Sequence, residues 1–223
     1  RNFAGKPLIA WSILSALKSK LDRVIVSTDD LEIAKVAKKY GAEVVMRPDN
    51  LAIDTIGVEP TLIQVYEYLK KSEGYVADAI IVLMGTNPVR QTFHINESLK
   101  MFQNTKADSV VSVNQTPANH TPYWTLIETP KGEVRLWGNI PMAKIHTRRQ
   151  DFPQKCYARN DLIYVLKPEN LFKGRQKDGR IDRYGKKIKL YITEPSYEID
   201  INTVDDWQDG EVKFKRLMKI RNS

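Results

Sequence analysis

Cysteine is almost absent: Cys156 is the only one in 223 residues. An internal disulfide framework is therefore excluded, and the usage fits a reducing, cytoplasmic setting. A catalytic thiol would need a nearby base, and His94, His120 and His146 show no spacing that supplies one, so Cys156 is expected to be inert. No apolar run approaches the ~20 residues that cross a bilayer, and no hydrophobic signal-peptide core is present. Repeats and low-complexity tracts are missing. So are the Gly-x-x-x-x-Gly-Lys-Ser/Thr and Gly-x-Gly-x-x-Gly loops, which disfavours a Walker-type ATPase and a dinucleotide-dependent dehydrogenase.

What is present is basic charge, 35 Lys and Arg against 27 Asp and Glu, for a net +8. The excess is densest over residues 144–189, through Arg148, Arg149, Lys155, Arg159, Arg175, Arg180, Arg183, Lys186 and Lys187. Such a stretch suits a nucleic-acid surface, a pocket for a triphosphate and a carboxylated sugar, or a merely solvated face. Charge alone does not choose among them. The 42% apolar fraction is ordinary for a globular chain.

The first half alternates two periods. Pro7 opens a helical pattern carrying Leu8, Ile9, Ile13, Leu14 and Leu17. Residues 23–27 read as a short strand. Asp29 or Asp30 then caps a helix that Gly41 stops. Strands follow at 43–46, 79–83 and 109–113, with helices near 60–71 and 92–104 between them. Strands separated by helix-length segments predict a parallel sheet covered on both faces. Over 115–157 the prolines 117, 122, 130, 141 and 153 break that rhythm, and short antiparallel strands and loops are expected. Strands return at 162–166 and 188–192, and an amphipathic helix from about Thr203 closes the chain.

Open parallel sheets bind ligands beyond the carboxyl ends of their strands. Four segments fall there: Thr28-Asp29-Asp30, residues 47–54, residues 84–90 and residues 198–202. Thr86-Asn87-Pro88-Val89-Arg90 offers a hydroxyl, an amide and a guanidinium for a base edge or phosphate, or else a turn with a helix cap. Arg47 and Asp54 flank a fixed bend at Pro48, which also suits a surface loop with a local ion pair. Asp200 and Asn202 point the same way if the segment is extended, and could ligate Mg²⁺. Asn202 or Thr203 could equally cap the last helix, with Asp205 and Asp206 complementing its dipole.

In order along the chain, Gly5-Lys6-Pro7-Leu8-Ile9, Ser27-Thr28-Asp29-Asp30, Arg47-Pro48 with Leu51-Ala52 and Asp54, Thr86-Asn87-Pro88-Val89-Arg90, Asn160 to Tyr164, and Asp200-Ile201-Asn202-Thr203 with Asp206 resemble the acylneuraminate cytidylyltransferases (CMP-sialic acid synthetases), including their legionaminic and pseudaminic acid relatives. The resemblance covers nearly the whole chain. It implies a Rossmann-like α/β nucleotidyltransferase, a mostly parallel sheet covered by helices with an antiparallel dimerisation extension at 115–157. The reaction it implies is attack of an acidic nine-carbon sugar on the α-phosphate of CTP, with Mg²⁺ and a homodimer. No membrane partner follows, and nucleic acid is not the expected one. Asp200 and Asn202 match the metal positions, and Asp200 with Arg47 the catalytic ones. Arg47, Asp54, Thr86, Asn87, Pro88 and Arg90 match nucleotide-side positions. Met84, Arg149, Asn160 and Tyr164 match the sugar side, Arg149 suiting the sugar carboxylate.

The chain also departs from the family pattern. The family opens with a strand and a glycine- and basic-rich loop, and residues 1–223 are expected to lack both, leaving a core position unfilled. Asn202 stands for a carboxylate, Met84 for a glutamine, Gly85 for a proline, Asn87 for a serine and Asp161 for a glycine. A related enzyme using another nucleotide or sugar, and a nucleotide-binding or RNA-binding relative without turnover, remain the alternatives.

Overall fold

The computed structural model describes residues 1–223 apart from Asp54, Arg175, Lys177, Asp178 and Ser223, and the side chains of residues 220–222. A two-residue hairpin, β1 (Asn2–Phe3) and β2 (Lys6–Pro7), leads into helix α1 (Leu8–Leu17). Strand β3 (Ile25–Thr28) runs parallel to β4 (Glu43–Met46), with α2 (Leu31–Lys39) as the crossover. Asp30 caps α2 by accepting from the backbone N–H groups of Glu32 and Ile33 at 2.7 and 2.9 Å. Gly41, at φ +93°, turns the chain out of that helix in a conformation an L side chain rarely takes.

A second sheet has the order β10 (Ile188–Ile192), β6 (Ser109–Gln115), β9 (Tyr157–Leu166), β5 (Ile80–Val82). β10 and β6 are parallel, while β9 runs antiparallel to both β6 and β5. β5, β6 and β10 thus share one direction, and β9 alone is reversed. Helices α3 (Val58–Glu73), α4 (Thr92–Thr105), α5 (Pro168–Lys173) and α6 (Val204–Asn222) complete the layers. Side-chain alternation sorts the sheet faces. Val110 and Val165 join Ile95, Phe102 and Phe214 from α4 and α6 on one face. Val82, Val111, Tyr164 and Leu166 face the other way, against Val58 and Leu62 of α3.

Gln115 and Tyr157 still pair within the four-stranded sheet, and between them lie hairpin β7 (Leu126–Glu128) and β8 (Val134–Leu136), antiparallel, and short 3₁₀ turns, an arm on the sheet. Between β3 and β5 no hydrogen bonds pass. Apolar cavities of about 180 and 300 Å³ lie there, lined by Ile25 and Ser27 on one side and Ile81 on the other. No described helix is long and apolar enough to cross a membrane. Cys156 is half-buried with a free thiol.

Asp108, at the head of β6, holds three strands together. Its carboxylate accepts from the backbone N–H groups of Lys186 and Lys187 at 3.0 and 2.9 Å, and from Lys167 Nζ at 2.8 Å. These donors, Lys167 first, pull its pKa down to about 2 from an ordinary 3.8. A carboxyl with a depressed folded pKa adds stability that is fully present above the unfolded value and fades as pH falls through the folded one. Asp108→Asn is therefore expected to flatten the loss of stability between pH 4 and pH 2, read as urea midpoints across that range.

Candidate active site

The site begins with an irregularity in β9. Val111 pairs with Tyr164 but Val113 pairs with Arg159, so residues 160–163 stand opposite Ser112 alone. A bulge of this size leaves backbone groups without ladder partners, and buried ones must find others. They do. Ser112 Oγ accepts from Ile163 N at 2.8 Å, Asn160 Oδ1 accepts from Leu162 N at 3.3 Å, and Arg90 Nε donates to Leu162 O at 2.5 Å. Asp161 sits in the bulge at φ +52°. That backbone conformation accounts for the glycine usual at this position, since only Gly adopts it freely.

Arg90 is the largest fully buried side chain, 1% exposed, and no described carboxylate pairs with it. Its fork also donates to Ser12 Oγ and to Met84 O, each at 2.9 Å. Burial pushes its pKa down to about 9. The guanidinium thus joins α1, the 84–90 loop and the β9 bulge, and has no face open to a ligand. Asn160 is similarly enclosed: its Nδ2 donates to Asn114 Oδ1 and Thr193 Oγ1, both at 2.6 Å, and Asn114 Nδ2 donates onward to Glu198 at 2.7 Å. Pro88 is buried. The structure places these three expected contact residues as supports beneath the site.

The four strand-end segments meet in sequence. Arg47 Nη2 donates to Ser27 O at 2.8 Å, and Arg47 N to Thr28 O at 2.8 Å, joining the first two. Ser27, Arg47, Met84 and Gly85 line the 300 Å³ cavity together with Ser12 of α1, bringing in the third. Ile201 N donates to Thr86 O at 3.0 Å, which ties in the fourth. Among described residues, Ser27 Oγ, Arg47 Nε and both side-chain polar atoms of Asn87 are buried without a partner. Asn87 itself is 1% exposed. Buried polar atoms left unpaired are costly and mark places where a ligand or water belongs.

Residues 198–202 form no strand. The alternation survives all the same: Ile201 is buried, Asp200 and Asn202 are exposed, and Asn202 Nδ2 donates to Asp200 Oδ2 at 2.8 Å. Thr203 and Asp206 form a reciprocal cap on α6, Asp206 N donating to Thr203 Oγ1 at 3.1 Å and Thr203 N to Asp206 Oδ2 at 2.8 Å. The cap and the Asp200–Asn202 pair therefore coexist. Thr86 is half-buried at the loop apex. Tyr164 lies on the α3 side of the sheet with Met84 packed against its cluster, and its hydroxyl donates to Asp161. Arg149 stands apart, exposed on the arm, and shares no described hydrogen bond with Met84, Asn160 or Tyr164. Asp54 lies outside the described residues.

Ser12, Ser112, Asn114 and Thr193 support these segments through the hydrogen bonds above, and no motif in the sequence marks them. The signal is present in Ser112 and Asn114, polar residues interleaved with the valines of β6.

The α/β layers, the cavity between β3 and β5 that Arg47 and Met84 reach, and the exposed Asp200–Asn202 pair define a nucleotidyltransferase. The chain belongs to the cytidylyltransferase family, whose profile matches residues 1–209. It is 34% identical over 215 residues to the post-translational flagellin modification protein B of Campylobacter coli, covering 93% of this chain and 84% of that one. It is 31% identical over 215 residues to the CMP-N,N'-diacetyllegionaminic acid synthase of Legionella pneumophila, with the same coverage. A solved CMP:2-keto-3-deoxy-manno-octonic acid synthetase complexed with CTP shares the fold, with TM-score 0.67 and 16% identity over 97% of this chain and 90% of that one.

Arg90→Lys keeps the charge but loses the fork that reaches three oxygens. A stability loss of about 2–4 kcal/mol is expected, measured by urea unfolding.

Proposed function

We propose that this protein activates an acidic nine-carbon 2-keto sugar with CTP, releasing pyrophosphate. The sugar's anomeric oxygen would bond to the α-phosphorus of CTP as its proton leaves, and the bond to pyrophosphate would break. The observation that carries the reading is the set of unpartnered buried groups, Ser27 Oγ and Arg47 Nε, at a cavity joined through Thr86 to the Asp200–Asn202 pair. Arg47 keeps N–H donors for the nucleotide, and its charge favours the phosphates. Thr86 offers a hydroxyl on the same loop as Met84, and Asn87 a buried amide whose polar atoms have no partner among the described residues. Met84, which lines the cavity, would meet the sugar, with Tyr164 buried behind it in the same cluster. Arg149 reaches the sugar carboxylate only if the arm, or a second copy's arm, approaches.

Asp200 and Asn202 would hold Mg²⁺. One carboxylate and one amide oxygen fit an ion that keeps most of its shell as water and phosphate oxygens. When bound, it neutralises charge on the phosphates. Pyrophosphate release, run with each of the four nucleoside triphosphates against a panel of nonulosonic and octulosonic acids, tests the reading. Release with CTP and an acidic sugar is expected. Release only with another triphosphate would replace CTP. Asp200→Asn is expected to cut turnover by about 100-fold or more, and Asn202→Asp to lower the Mg²⁺ needed for half-activity roughly tenfold.

The arm supports a homodimer reading. Leu126, Val134, Trp137 and Ile140 are all exposed on it, Trp137 by 59%, a density of apolar surface that marks an association face. Trp137→Glu is expected to shift the protein to monomer in analytical ultracentrifugation while leaving its helical circular dichroism unchanged.

A further inference from the structure

Asp161 keeps a strained backbone, φ +52°, where glycine would be at ease. Its side chain is engaged. Tyr164, 3% exposed, donates its hydroxyl proton to Asp161 Oδ1, so that phenol is spent on aiming the carboxylate. The second carboxylate oxygen takes no hydrogen bond from any described residue. Tyr184 is set in the opposite sense. Its hydroxyl oxygen accepts from Arg159 Nη1 at 2.9 Å and from Arg183 Nη2 at 2.8 Å. Both lone pairs are then occupied, and its own proton must go to an acceptor that no described residue supplies.

Arg183 fixes the spacing. Its guanidinium lies 4.9 Å from the Tyr164 ring centre and 5.0 Å from that of Tyr184, and Glu59 at the start of α3 accepts from its Nη1 at 2.9 Å. The ring centres are 6.3 Å apart. Half-buried Asp161 and Tyr184 therefore present a hydrogen-bond acceptor beside a hydrogen-bond donor, on the sheet face where Met84 also packs.

We propose that Asp161 and Tyr184 form a specificity subsite for a sugar substituent that both donates and accepts a hydrogen bond, a secondary amide or a hydroxyl. The proposal rests on the sugar-activating reading above. The Asp161 carboxylate and the Arg159 and Arg183 guanidinium groups at Tyr184 bring both signs of charge to the subsite, so its selectivity comes from the hydrogen-bond pattern.

The test is steady-state pyrophosphate release at saturating CTP, with sugar binding followed separately by calorimetry. Three 2-keto sugar acids are compared, bearing an acylamino group, a hydroxyl, or hydrogen at the distal position. Asp161→Gly relieves backbone strain and Tyr184→Phe removes one oxygen, so both variants should fold. Each is expected to raise the KM for the preferred acid about tenfold, to leave the KM for CTP within about twofold, and to erase discrimination against the hydrogen-bearing acid. Asp161→Asn, which tolerates the same backbone and keeps an acceptor, should retain most of the discrimination. The acylamino and hydroxyl arms identify which group is read. Turnover with sugar KM and selectivity unmoved in both variants overturns this proposal alone. A wild type that neither turns over nor binds any of the acids overturns the parent reading, and this one with it.

Discussion

The structure depends on one buried cation satisfying one irregular strand. Four residues of β9 stand where one would fit, and Arg90, reaching 72 residues along the chain, caps the carbonyl that this leaves over. A buried guanidinium without a carboxylate partner is costly to desolvate. It is tolerable here because three oxygens from α1, the 84–90 loop and the bulge surround it. Removing any of those oxygens would strand the charge, so the three elements hold one geometry.

That geometry sets up both sides of the site. On one side, the loop fixed by Arg90 presents Thr86, whose carbonyl holds Ile201 and so fixes Asp200 and Asn202. On the other, the bulge turns Asp161 outward and lets Tyr164 aim it. The polar network from Asn160 through Asn114 to Glu198 runs beneath and connects the two. The basic stretch resolves in the same way. Arg183 is ion-paired and stacked between two phenols, Lys167 is paired with Asp108, and Arg148 with Asp151. Two arginines of that stretch, Arg148 and Arg183, are thus held in ion pairs.

The periodic parts of this fold were legible in the sequence because their causes are local. Residues 43–46 and 92–104 show their strand and helix within a few positions, and Asp30 and Gly41 mark the ends of α2 by short-range chemistry. The meeting of the four strand-end segments was legible too, from the general placement of ligands in α/β sheets. The bulge was not. Residues 162–166 read as a uniform apolar strand, and the alternation breaks only in the packing, where neighbouring Leu162 and Ile163 join the same cluster. Arg90 and Asn160 looked like contact residues because a guanidinium or amide on a loop is ambiguous until its distant oxygen partners are known. The adjacency of Asp200 and Asn202 was foreseen through strand alternation, although a non-strand loop held by Thr86 produces it.

The position of β9 in the sheet also governs assembly of the chain. β5 and β6 never touch each other through hydrogen bonds; each is paired through β9, which emerges some 40 residues after β6, once the whole arm has been made. During synthesis the N-terminal two thirds therefore waits with open strand edges for its central strand. Sheets built from such distant pairings fold slowly and expose sticky intermediates. The growing chain would gain most from a chaperone in the interval between completing the arm and delivering residue 166.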